Sequence, residues 1–154
     1  MTLHTETETE EEPMTQALET IAKLNELLEA ERAGVDAMAR LAEAVSTPEM
    51  QKLFAQVKSD EAWSCAGLAD AIRRLGGTMS EKKGDFAEKV MSMPTLPERL
   101  RLLNRGQGWV VKRLDVLLQQ SDIDLETRSF LTEMRTVHAR NIAGCDDLVC
   151  RLGT

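Results

Sequence analysis

The chain has 154 residues, and its 19 Lys and Arg against 26 Asp and Glu leave a net charge of −7. That length suits one domain with a core of its own, and the scarcity of aromatics (two Trp, three Phe, no Tyr) beside abundant Ala, Leu, Glu, Arg and Met favours helices over a sheet. No apolar run approaches the roughly 18 residues of a membrane span, no secretory signal is visible, and no basic face is available for nucleic acid or an anionic membrane.

Residues 1–13 hold five Glu and no Lys or Arg, so the rest of the chain carries only −2. Like charges repel, and almost nothing apolar is there to bury. The expectation is a disordered acidic tail over 1–13, followed by a helical bundle domain over 14–154. Helix 1 is expected from about Thr15 to Val45. At about 100° per residue, Leu24, Leu27, Leu28, Val35, Met38 and Ala42 form one stripe, and Glu31 lies inside it. Helix 2 opens on Thr47 with Pro48 behind it and ends at Leu75, before Gly76 and Gly77. Its stripe runs from Met50 and Leu53 to Ile72 and Leu75, with Glu61 in the middle and Trp63 on the far side.

Residues 76–94 form a long connection, with a short helix expected around Phe86–Met91. Helix 3 opens with Thr95-x-x-Glu98, a capping box, and runs to about Gln120. Leu100, Leu103, Val110, Val111, Leu114 and Leu118 make its stripe, and Gln107 interrupts it. Helix 4 runs from Leu125 to Leu152 behind Asp122 or Asp124 as cap. Phe130, Met134, Val137, Cys145, Leu148 and Leu152 share its stripe with His138 and Asn141. Connections that are short, long and short make antiparallel neighbours of helices 1 and 2 and of 3 and 4. The long link then crosses from one end of a four-helix bundle to the other, which is ferritin-like topology.

Glu31, Glu61, Gln107 and His138 each fall near the middle of their own helix. Mid-points of antiparallel helices share one height, so the four side chains should meet in one central layer. An isolated buried charge is costly, so such a layer needs a cation, a proton or water. Two carboxylates, an amide and an imidazole suit one divalent Fe, Mn or Zn ion. The rival reading is a metal-free polar network in which Arg135 or Arg105 turns inward and neutralises a carboxylate.

At these residues, and in the segments LLEAERAG and DEAWSCAGL, the chain resembles the ferritin-like superfamily of di-iron carboxylate proteins, which includes rubrerythrins, bacterioferritins and ferritin-like tRNA hydroxylases. The resemblance covers residues 15–152 and implies an all-α, ferritin-like antiparallel four-helix bundle with a long crossover between helices 2 and 3. A full site of that family takes a Glu from helix 1, Glu-x-x-His from helix 2, a Glu from helix 3 and Glu-x-x-His from helix 4. Glu31, Glu61 and His138 match three of these ligands. Ser64 stands in place of the helix-2 His, Gln107 in place of the helix-3 Glu, and Arg135 in place of the helix-4 Glu. Four carboxylates balance two divalent ions, and two balance one. The resemblance therefore implies a single-metal site of Glu31, Glu61, His138 and Gln107, with oxygen- or peroxide-dependent oxidoreductase chemistry or a stress-related role. The alternative it leaves open is a bundle without metal, serving as a scaffold or interaction protein.

Cys65, Cys145 and Cys150 include no CxxC pair and no disulfide framework, so a reducing cytoplasm is the expected compartment. Cys65 and Cys145 lie close to the polar layer and are read as small core residues, with thiolate ligation as the alternative. Trp63 and Trp109 point away from their core stripes. They are expected under the crossover or on a homodimer surface. No nucleophile–base pair, phosphate loop or zinc-finger spacing is present.

Overall fold

A computed structural model describes the backbone of residues 2–153 and side chains from Pro13 onward. Five helices follow one another: α1 (Thr2–Glu43), α2 (Pro48–Arg74), α3 (Phe86–Ser92), α4 (Leu96–Leu118) and α5 (Leu125–Leu152). The caps expected from sequence set three of the starts. Thr47 accepts a hydrogen bond from Met50 N at 3.4 Å, Thr95 from Glu98 N at 3.3 Å, and Asp124 from Thr127 N at 3.0 Å. Gly153 closes α5 in the left-handed conformation, with φ of 68°. Helix α1 begins at Thr2 rather than near Thr15 and passes through Pro13. The acidic tail expected over 1–13 falls almost wholly on side chains outside the described residues.

α1 packs mainly on α2, and α4 mainly on α5, as two antiparallel hairpins. The hairpins meet along α1–α4 and α2–α5, where contact is sparser. The crossover climbs the outer face of α1 and is fastened at successive turns. Asn25 donates to Thr78 O at 2.9 Å and accepts from Ser80 N at 2.7 Å. Arg32 donates to the carbonyls of Ser80 and Lys82. Lys83 reaches Asp36 at 3.1 Å, and Arg40 reaches Glu88 at 3.0 Å. The bundle is all-α with a long second connection, and α3 rides within that connection.

The apolar core is split in two. One cluster contains Leu24, Leu27, Leu28, Leu68, Ile72, Leu114, Leu131 and Met134. The other contains Ala37, Met38, Leu41, Phe54, Val57, Leu100, Leu103 and Leu148. Between the two clusters each long helix places a buried polar residue: Glu31, Glu61, Gln107 and His138. The stripes differ in detail from those expected. Leu117 rather than Leu118 is buried on α4, and Leu131 rather than Phe130 on α5. Phe130 instead packs on Trp63, with ring centroids 5.1 Å apart.

Candidate functional site

Glu31, Glu61, Gln107 and His138 are all buried, and all four line one cavity of about 230 Å³. The rest of its wall is apolar and includes Ala30, Phe86, Leu103, Trp109 and Val110. The structure thus brings the sequence-derived set together at mid-height. α3 contributes Phe86, so the crossover forms part of the wall. Trp109 lies in that wall too, with the Arg113 guanidinium 4.9 Å from its ring centroid. Trp63 lies elsewhere, partly covered by Phe130.

His138 is oriented by its own helix. Its Nδ1 lies 2.9 Å from Met134 O, an atom that can only accept, so Nδ1 carries a hydrogen. Its Nε2 lies 2.5 Å from Glu31 Oε1. With Nδ1 carrying a hydrogen, Nε2 donates to Glu31 Oε1 when the ring is protonated. Burial alone would lower the pKa of His138; the hydrogen bond and charge of Glu31 outweigh it and hold the value above 6.5.

Among the described residues, Glu61 Oε2 has no hydrogen-bond partner. Burial, then the charges of Glu31 and Asp60, push its pKa well above the ordinary carboxylate value. Its carboxyl group lies against the backbone of α1 at Gly34. A Cβ there would stand 2.5 Å from Glu61 Oε2, so a larger residue would push the carboxyl group aside. Gln107 is set by a chain of hydrogen bonds that ends on an unambiguous acceptor. Asn104 Nδ2 donates to Ile142 O at 3.1 Å and to Asp146 at 2.8 Å. Asn104 Oδ1 therefore accepts from Gln107 Nε2, at 3.2 Å, and Gln107 Oε1 is the atom left over. Among the described residues, Glu31 Oε2, Glu61 Oε2 and Gln107 Oε1 are buried without any hydrogen-bond partner. Gln107 Oε1 can only accept, and the two carboxylate oxygens accept when ionised.

The inward-turning arginine of the metal-free reading is not found. Arg135 does not turn inward. It pairs with Asp115 on the surface, and both side chains are more than two-fifths exposed. Arg105 is exposed as well. Neutralisation comes instead from His138 beside Glu31. Ser64, in the place of a histidine ligand, is fully buried and donates back to Asp60 O at 3.1 Å. The thiols of Cys65 and Cys145 are pushed up to about 12, in both cases first by burial and then by nearby carboxylate charge. A neutral thiol is a poor ligand, and neither cysteine lines the cavity.

Sequence reasoning missed Asn104 and Asp60. Asn104 was signalled by its spacing of three residues from Gln107. Asp60 is held by Asn141 Nδ2 at 3.2 Å and Gln56 Nε2 at 3.0 Å, and only the fold brings Asn141 to it.

A family model described as a domain of unknown function, DUF6306, matches residues 18–147. The chain belongs to this family. No functionally curated protein matches the DUF6306 chain in sequence. A solved structure from Bacillus anthracis str. Ames, described as ferritin like, diiron-carboxylate proteins, is similar to it with a TM-score of 0.69. The two are 23% identical over 90% of this chain and 97% of that one. The DUF6306 domain therefore has the ferritin-like fold.

The donor set does not suit a pair of metal ions. Only two carboxylates are present, and the other expected ligand positions hold Ser64, Gln107 and Arg135. Among the described residues, no group of three or more His, Cys, Asp or Glu is arranged to hold a metal ion. What the cavity offers is three unpartnered acceptor oxygens beside one imidazole. No helix of the described residues is long and apolar enough to cross a membrane.

Proposed function

We propose that this DUF6306 domain is a ferritin-like cation-binding protein whose central cavity holds one divalent ion. Glu31, Glu61 and His138 would ligate it, with Gln107 as a fourth, neutral oxygen donor. The observation that carries this reading is the set of three buried acceptor oxygens with no donor among them. His138 suits the role because Nδ1–H is held by Met134 O, so Nε2 is the nitrogen that would exchange its contact with Glu31 Oε1 for the ion. The ion would supply Lewis acidity and, as Fe or Mn, one-electron redox capacity. Fe, Mn and Zn are the metals whose chemistry fits these donors.

The experiment is elemental analysis of protein purified without an affinity tag and without chelator, together with melting curves in added Fe(II), Mn(II) or Zn(II). We expect close to one equivalent of metal. Loading at 100 times Kd should add about 2.7 kcal/mol of stability, and Glu31→Ala and His138→Ala should each abolish the gain. A chain that comes out empty and does not respond to any of the three ions would leave the second reading. In that reading the bundle is a metal-free scaffold, with the Glu31–His138 pair as its permanent core contact. A cytoplasmic homodimer, expected from sequence, is a separate proposal. Sedimentation of the purified chain tests self-association, and a monomer would end it.

A further inference from the structure

We propose that the ion-free cavity binds a small primary amine, with its ammonium group among the Glu31, Glu61 and Gln107 oxygens and its apolar body against Phe86, Leu103 and Trp109. This goes beyond the divalent-ion reading and does not require it. One ion, or one water at about 30 Å³, fills a small part of about 230 Å³. The remainder is walled by side chains that offer water almost nothing. An apolar cavity of about 150 Å³ is large enough for a benzene ring, so this one accommodates a ring with a short polar arm.

The polar end then decides which arm. Glu31 Oε2, Glu61 Oε2 and Gln107 Oε1 are three acceptors without a donor, each on a side chain at least nine-tenths buried. A primary ammonium brings three N–H donors and no acceptor. It matches that set in number and in sign. A hydroxyl brings one donor, a bare hydrocarbon brings none, and a carboxylate brings further acceptors to a site that already has three. Leaving a buried acceptor unpaired is what a site of this kind discriminates against. The selectivity expected is therefore ammonium over alcohol, over hydrocarbon, over carboxylate.

The test uses the full chain at neutral pH with chelator present, so that metal plays no part. Benzylamine, benzyl alcohol, toluene and benzoate are titrated by calorimetry. Fluorescence of Trp109 is followed in parallel in a Trp63→Phe variant. Benzylamine should bind at least tenfold tighter than the alcohol or toluene, and benzoate should not bind. Glu61→Gln, which keeps the shape but exchanges an acceptor for a donor, should weaken benzylamine at least tenfold. Val110→Phe should abolish binding by filling the space. Equal affinity for toluene and benzylamine, no binding of benzylamine at millimolar concentration, or benzylamine binding unchanged in Glu61→Gln would each overturn the proposal. A chain that binds benzylamine but no Fe, Mn or Zn sinks only the ion reading; the converse sinks only this one.

Discussion

His138 and Glu61 make the layer sensitive to protons, and both act in the same direction. Each has a folded-state pKa above its ordinary value, so each favours the folded chain while protonated. The His138 contribution is complete below 6.5 and fades as pH climbs through its raised folded value. The Glu61 contribution is complete below 4.5 and fades over a wider range above it. Asp115 opposes them only in stronger acid. The Arg135 hydrogen bond holds its pKa below 3.8, and that stability goes as pH falls through the lowered value. In chelator, the chain should therefore be more stable to urea at about pH 5 than at pH 8. Glu61→Gln should flatten much of the difference, and an optimum at pH 8 would contradict the assignment. A second expectation concerns the pair itself. His138→Ala strands Glu31 and should cost about 3 kcal/mol or more in chelator at neutral pH. Adding Glu31→Gln should return a large part of that loss; a strictly additive double variant would show that the two side chains do not interact.

At the scale of the helices, the glycines of α1, α2 and α4 separate packing from propensity. Gly108 has open space where a Cβ would go, so Gly108→Ala should gain up to about 1 kcal/mol in a denaturant melt. Gly67 differs, because a Cβ there would overlap the Phe130 ring. Gly67→Ala should lose roughly 1–3 kcal/mol of packing, more than propensity returns. If both variants shift stability alike, the contrast fails. The same elements show what was legible beforehand. Helix ends were legible at Thr47, Thr95 and Asp124, because a cap is a local device. The mid-height layer was legible because helical period alone puts Glu31, Glu61, Gln107 and His138 on apolar stripes. Arg135 was not, because its direction is decided by Asp115, on another helix. Phe130 was misplaced for a similar reason: Gly67 leaves a hollow on α2 that its ring enters. The role of Phe86 depended on the path of the crossover, which has no period to read.

For the whole molecule, the important feature is how the layer is divided. Glu31 and Glu61 belong to the α1–α2 hairpin, and Gln107 and His138 to the α4–α5 hairpin. Neither hairpin holds the cavity alone. A chain cut at Gly84, an exposed position with open space around it, should therefore still assemble from its two co-expressed pieces. Recovery of one piece without the other would argue that the crossover must be covalently continuous. The division also bears on timing. Helical hairpins rest on contacts close in sequence and form early; their docking across the layer comes after. An ion or amine at the seam meets its full set of partners only once docking is complete. It should leave the refolding rate nearly unchanged and slow unfolding instead. The occupant of this cavity would then be a latch, lengthening the lifetime of a fold that the two hairpins reach without it.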